Sequence, residues 1–330
     1  MTPVLINRSQ ISNQRWDTHI RRSQQSVIYA YSFYLDIVCE DWKAIVWPSV
    51  QNFVVVMPLP VKKRFGKTVV YQPLFCQFLG LFSIDVLTSD QVEAFMRSLW
   101  GHFSYISCYQ FNPENFGLLE KLRSDFTEFE FVQKRTYWLR LGKGYDDIVN
   151  KYSKDRKKNL DRSRRLSWVI QERLDIGPLI RLFEVNHAGK IPGGVNANAY
   201  RTLQDIFSCL SRRGNAELWY ACHHGRVHAG VLLVKSGEKV IYIFNSADDE
   251  GRSGNARTAV LDHYFRLHAE KSLIFDFESP DIEPIAAFYG SFGSEKTDYF
   301  SIRKNGLPFP LKQIQEMKRA FFLKPGNILS

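Results

Sequence analysis

From residue 167 onward the sequence runs through one order of patterns: strand, two helices, three strands, a glycine-containing loop, a helix, a strand, a short helix and a closing strand. That order is the strongest constraint on the fold. Successive strands joined by short turns pair antiparallel, and a helix inserted between two strands permits a parallel crossover, so few topologies survive. SWVIQER (167–173) reads as the first strand, and helices follow at 177–188 and 197–212. AELWYACH (216–223) and VHAGVLLVK (227–235) form a hairpin turning at Gly225-Arg226, and KVIYIFNS (239–246) is the third strand of the run. A helix over 255–269, a strand over 272–278, a short helix and a strand over 297–303 complete it. A further helix, 153–165, stands ahead of it.

The first half offers a looser version of the same elements. Residues 14–22 read as a short helix, and 43–60 as two strands joined near Pro48–Gln51. Pro58 and Pro60 are expected to end the second strand, because proline cannot donate to a ladder. Residues 89–100 form a helix with Ser89 as its cap and Val92, Phe95, Met96 and Leu99 on one face. A strand (103–110), a helix (113–124) and a strand (129–141) follow. The tail after Pro310 is a helix with Ile314, Met317, Phe321 and Phe322 on its apolar side. The expectation is an α/β (α+β) chain of two domains, 1–145 and 146–305, each a mixed, mostly antiparallel sheet flanked by helices. Helix 306–330 is expected to pack on the first.

Composition narrows the class. The 330 residues exceed what one core usually serves. No apolar run approaches the roughly 18 residues of a membrane span. The N-terminus has no h-region, so the reading is a cytoplasmic protein, with peripheral membrane contact left open. Five scattered cysteines form no CxxC pair, which argues against a disulfide framework or zinc ribbon. Cys222-His223-His224 reads as a hairpin turn rather than a metal site. A net charge of +10 favours polyanionic partners: nucleic acid, phosphorylated metabolites or anionic surfaces.

Three stretches carry candidate chemistry. Between Lys151 and Arg165 lie eight basic and two acidic residues, so Lys154, Arg156, Lys157 and Lys158 are candidates for holding phosphates; the competing reading is a solvated helix face. The loop Asp249–Arg257 opens a helix, and Arg252, Gly254, Asn255, Ala256 and Arg257 could form an anion site from N–H groups at the helix N-terminus. In LIFDFESPDIEP, Asp276 and Glu278 share one face of a strand and could act as base and acid, or brace a loop. Ser279-Pro280-Asp281 then reads as a helix start with proline in its first turn.

The second half resembles a GNAT acetyltransferase domain, and the whole chain resembles the FemAB-like group, in which two such domains stand in tandem. The likeness rests on Phe275-Asp276-Phe277-Glu278-Ser279 for "FDF-x-GS", and on Phe288-Tyr289 and Phe292-Gly293 for "F-K-x-x-F-G". The closing aromatics Tyr299-Phe300 and the stretch YSKDRKKNLDRSRR, for "S-K-x-R-x-x-I", extend it. The resemblance implies an acyltransferase that moves an acyl or aminoacyl group to an amine, within cell-envelope or peptidoglycan synthesis. It implies a donor between splayed strands 239–246 and 272–278, near Tyr242, Asn245 and Ser246, and acyl-CoA as a cofactor without metal. The loop matches the CoA-pyrophosphate pattern R/Q-x-x-G-x-G/A only in part. Tyr289 replaces the lysine of the tRNA-dependent members, which disfavours aminoacyl-tRNA as donor; tyrosine there could still donate a hydrogen bond. A catalytically silent ligand-binding or scaffold protein is the alternative. A nucleic-acid-binding module rests on charge alone, with no known motif.

Overall fold

In the computed structural model, residues 2–64, 66–191, 193–279 and 282–322 are described, apart from the side chains of Lys190, Lys318, Phe321 and Phe322. The chain divides into two compact units. Unit 1 runs to Lys134 and resumes at Asp298; unit 2 is Arg135–Thr297. The expected divisions fell later, at 145/146 and 305/306.

Unit 1 begins with β1 (Val4–Asn7), α1 (Asn13–Arg22) and α2 (Ser32–Val38). Strands β2 (Asp41–Pro48), β3 (Phe53–Arg64), β4 (Lys67–Val70) and the two-residue β5 (Phe82–Ser83) follow. Then come α3 (Ser89–His102), β6 (Tyr105–Gln110), a 3₁₀ turn at Pro113–Asn115 and α4 (Phe116–Leu122). The α3 cap is Thr88, one residue before the expected Ser89: its side chain accepts the Gln91 N–H while the Gln91 side chain takes the Thr88 N–H.

The prolines do not end β3. Pro58 and Pro60 lie inside it, opposite Ala44 and Trp42 of β2. Their carbonyls face away from β2, where Pro58 O accepts the Tyr109 hydroxyl and Pro60 O the Tyr71 N–H. On that side β5 pairs only with Val55 and Val56, and β4 only from Val61 onward. The prolines therefore occupy the gap where no ladder donor is demanded.

Unit 2 takes up the chain within β7 (Glu130–Arg140), then α5 (Tyr145–Asn150), α6 (Lys154–Arg165), β8 (Val169–Glu172), α7 (Gly177–Asn186) and α8 (Ala197–Arg212). The hairpin of β9 (Ala216–His223) and β10 (Arg226–Ser236) turns at His224-Gly225, both with positive φ, and leads into β11 (Lys239–Ala247). A one-turn helix α9 (Asp249–Ser253), the long α10 (Ala256–His268), β12 (Ile274–Asp276) and α11 (Glu283–Gly290) follow. The described residues end with β13 (Glu295–Asn305), which enters unit 1 at Asp298, and α12 (Leu311–Phe322).

The two units carry the same strand pattern. In unit 2 the order is β7-β12-β11-β10-β9-β8, antiparallel except for the single parallel step between β12 and β11. In unit 1 it is β1-β2-β3-β4-β6-β13, antiparallel except for the parallel step between β4 and β6. The α/β class with mostly antiparallel sheets is as the sequence suggests. Unit 1 closes over Trp16, Trp42, Tyr29, Tyr34 and Phe95, all fully buried, and the Trp16 indole donates to Ala30 O at 2.8 Å. Unit 2 closes over Val260, Leu261, Phe265, Phe275, Phe277 and Phe292. Each such side chain contributes about 1.5–3 kcal/mol on burial.

On the tail helix, Met317 is 65% exposed, against the expectation of a packed apolar side; Phe321 and Phe322 lie outside the described side chains. Ile314 is half-buried, and among the described side chains Arg319 ties α12 to unit 1 by pairing with both oxygens of Glu130. Glu130 is thereby held below the usual carboxylate range, chiefly by that hydrogen bond.

Candidate functional site in unit 2

β11 and β12 pair over three residues only, Lys239–Ile241 with Ile274–Asp276. β11 then continues to Ala247 along β10, while β12 stops at Asp276. The sheet therefore opens after Ile241, as a splay of these strands requires.

An irregularity in β11 decides which side chains face the opening. Tyr242 lies opposite Leu233 and Phe244 opposite Leu232, so Ile243 is an extra residue in the ladder. In a regular strand residues 242 and 245 would point to opposite faces. Here Tyr242 packs edge-on to Tyr289 (ring centroids 5.9 Å), and Asn245 Oδ1 accepts a hydrogen bond from Arg257 of α10 at 2.8 Å. Phe244 turns to the other face, against Phe183 of α7 at 4.9 Å.

Four elements thus supply one polar cluster: Tyr242 and Asn245 from β11, Arg257 from α10, Tyr289 from α11 and Arg156 from α6. Tyr242 Oη is buried and has no hydrogen-bond partner among the described residues; the Arg257 guanidinium stands near it, outside hydrogen-bond geometry. Burial pushes the Tyr242 hydroxyl up to about 12, with Arg257 and Arg156 pulling the other way. Burial likewise raises Tyr289, whose ring stacks on Phe277 at 4.8 Å and whose hydroxyl is faced by Asn245. Ser246 Oγ, one residue on, is buried without a partner as well.

Arg156 is the only one of the four α6 candidates that turns inward. Its guanidinium lies 4.2 Å from the Phe288 ring and 4.4 Å from the Phe292 ring, and Nε donates to Ser291 Oγ at 2.9 Å. It also donates to Thr258. Burial, reinforced by the Arg257 charge, pulls it down to about 10. Arg257 sits 5.1 Å from the same Phe288 ring. Neither arginine has a carboxylate within ion-pair distance among the described residues. Lys154 and Lys158 are exposed, and Lys157 caps Asn150 O at 3.1 Å, so this face of the run is solvated.

The pair Asp276 and Glu278 does not share a strand face. β12 ends at Asp276, and Glu278 has φ +48°, a left-handed conformation that breaks the alternation. Asp276 is fully buried and accepts three bonds: Thr136 Oγ1 at 2.5 Å, Trp138 Nε1 at 2.8 Å and the Glu278 N–H at 2.9 Å. Burial raises its pKa against those donors. Glu278 is half-buried, and its charge acts on Tyr289. Pro280 and Asp281 lie outside the described residues. The helix begins at Glu283, and the proline of its first turn is Pro284.

The loop expected to cradle an anion is instead α9. Asp248 caps it by accepting the Gly251 N–H at 2.7 Å, and the N–H groups of Arg252, Gly254 and Asn255 bond to Asp248 O, Glu250 O and Arg252 O. Arg252 is turned back onto Ala247 O and paired with Asp249. A Cβ on Gly254 would stand 2.5 Å from Leu166 and Trp168, so this glycine serves close packing. Asn255 adopts φ +54° and hands the chain to α10, whose first residue, Ala256, is buried. Of the five loop candidates, only Arg257 reaches the polar cluster.

Sequence reasoning missed Thr258 and Ser291, the partners of Arg156, and the extra residue Ile243. Nothing in their residue types signals these roles. Gly293 had a readable signal: φ +74° and a would-be Cβ 2.7 Å from Lys151 O, at the point where Ser153 N–H bonds Ser291 O. Among the described residues no group of three His, Cys, Asp or Glu has metal-holding geometry.

A mostly antiparallel sheet with one parallel step that opens beside a helix N-terminus defines the N-acyltransferase fold. Residues 149–279 match the family model of the acetyltransferase (GNAT) domain. The structure of FemX is similar over 93% of this chain and 98% of its own, with TM-score 0.64 and 14% identity. A conserved protein of unknown function from Bacteroides thetaiotaomicron is similar over 88% of this chain and 96% of its own (TM-score 0.59, 11% identity). So is the C-terminal domain of a putative lysylphosphatidylglycerol synthetase from Agrobacterium fabrum, over 83% and 87% (TM-score 0.51, 9% identity). No curated protein matches in sequence. Residues 149–279 thus match a GNAT acetyltransferase domain, and the chain as a whole is FemAB-like in fold.

Proposed function

We propose that unit 2 is an N-acyltransferase centre that passes an acyl or aminoacyl group from an activated donor to an amine, in building the cell envelope. The observation that carries this is the Tyr242 hydroxyl, buried without a partner at the opening of β11 from β12 and flanked by Arg257 and Arg156, which lack carboxylates. A buried donor and two uncompensated cations cost free energy unless an anionic or carbonyl-bearing ligand completes them. The amine nitrogen attacks the donor carbonyl carbon, the bond to the leaving sulfur or oxygen breaks, and the amine loses a proton. Tyr242, raised in pKa, keeps its proton at neutral pH and can hydrogen-bond the oxyanion or protonate the leaving group. Arg257 offsets the developing negative charge. Glu278, beside Tyr289, is the base candidate. Asp276, with all its donors engaged, holds the Glu278 turn.

Donor identity is open between two classes. The internal bonding of the α9 amides weighs against pyrophosphate held by that loop, leaving the α10 N-terminus and Arg257 for an anionic donor. Tyr289 in place of a lysine weighs against a donor that needs a second cation there. A cytoplasmic location fits such donors, and a silent fold is the reading that remains if nothing binds. Calorimetric titration with acetyl-CoA and with a non-hydrolysable 3′-aminoacylamino-adenosine tests the proposal at physiological salt. Saturable binding of one of them is expected. Binding of neither would overturn it.

A further inference from the structure

A second feature of unit 2 lies on its helical layer, between α6, β8 and α10. It is a groove of about 290 Å³. Leu160 and Ile170 form its apolar floor, and the half-buried Trp168 indole is one wall, held in place by its bond to Gly254 O at 2.9 Å. Arg164 from α6 and Arg266 from α10 stand at the rim, with His263 between floor and rim.

The charge of the groove is neutralised only in part from within. The Asp262 carboxylate at its base accepts Tyr145 Oη at 2.9 and 2.8 Å and Tyr152 Oη at 3.2 Å, and its charge also acts on Arg164 and Arg266. Arg266 donates to the Tyr145 hydroxyl, a neutral partner, at 3.2 Å. Arg164 meets Asp161 at 3.4 Å, and both side chains are more than half exposed, a contact of little strength. His263 is held below its usual range by burial and by Arg266, so it adds a neutral ring rather than a third cation.

A flat indole wall, an apolar floor and two guanidinium groups at the rim select by shape and charge together. We propose that this groove binds a small anion with a flat apolar body, such as an aryl phosphate, at a site separate from the β11–β12 opening. The flat body lies against Trp168, and the anion takes Arg266 and Arg164 through charge-assisted bonds.

The test is titration of the full chain with phenyl phosphate, with inorganic phosphate and phenol as the charge-only and body-only controls. Phenyl phosphate should bind saturably, at least about tenfold more tightly than either control. Arg266→Gln should weaken it about tenfold or more, and Trp168→Leu should abolish its advantage over inorganic phosphate. Arg266 is exposed, so that variant should fold, which its melting temperature checks; Arg257→Ala should leave phenyl phosphate binding intact. No saturation by about 10 mM, equal binding of inorganic phosphate, or loss in Arg257→Ala without loss in Arg266→Gln would each overturn the proposal. The last outcome would assign the binding to the opening instead.

Discussion

Tyr242 is where stability and function separate at the scale of one residue. A buried hydroxyl with no partner costs the folded state about 1–3 kcal/mol of desolvation. Tyr242→Phe removes that penalty and keeps the ring contacts with Phe275, Phe277 and Tyr289. Its stability in urea should be unchanged or higher by up to about 1 kcal/mol, while donor affinity falls. A stability loss above that size would mean the hydroxyl is bonded in the fold. Asp276 behaves in the opposite way. Its folded pKa is raised above the unfolded value of about 3.9, mainly by burial. Its stabilising contribution is therefore fully present below that value and is lost as pH rises through the folded pKa. Asp276→Asn mimics the protonated group, so the stability advantage of the wild type over it should narrow as pH rises through that window. A gap that widened would reverse the assignment. The sequence made Asp276 and Glu278 visible as carboxylates two apart. It could not show that Glu278 leaves the strand, because a positive φ in a non-glycine residue depends on tertiary support, here the Asp276 carboxylate accepting its N–H.

Among elements, the long periodic ones were legible and the irregular ones were not. The helices now called α3, α6, α8 and α10 begin and end within a few residues of expectation, and the apolar face read for α3, Val92, Phe95, Met96 and Leu99, is buried. The early end expected for β3 failed because proline's missing N–H matters only on a paired side. The α9 turn was not legible: glycine suggested an anion-holding or solvated loop, whereas at Gly251 and Gly254 a Cβ would strike His228 O and the Leu166–Trp168 pair. Gly254→Ala should accordingly destabilise the protein by about 1–3 kcal/mol through overpacking, although its φ of −82° suits alanine. A melting temperature equal to wild type would show that Leu166 and Trp168 can yield. The extra residue in β11 left no trace in composition, yet it turns Tyr242 and Asn245 to one face.

At the scale of the whole chain, the repeat was readable as an order of elements and not as a sequence repeat, because layers conserve burial pattern rather than residue identity. The structure adds that unit 1 draws its last strand, β13, from the far end of the chain, whereas unit 2 opens its own continuous segment within β7. The units also differ where it matters for function. In unit 1 the chain from Tyr71 to Leu81 runs beside the parallel step, with Leu79 bonding Gln110 O and receiving the Asn112 N–H. Asn115 is locked onto Leu81 by both its amide groups. In unit 2 the corresponding step opens beside Tyr242 and Arg257. The donor site proposed above is therefore one per chain, at Arg257 rather than at the α9 loop. The most direct test is calorimetric titration of whichever activated donor binds, comparing Arg257→Ala with Arg252→Ala at physiological salt. Arg257→Ala should weaken binding about tenfold or more while Arg252→Ala should change it little. Loss in Arg252→Ala with binding intact in Arg257→Ala would contradict this placement and return the donor to the loop.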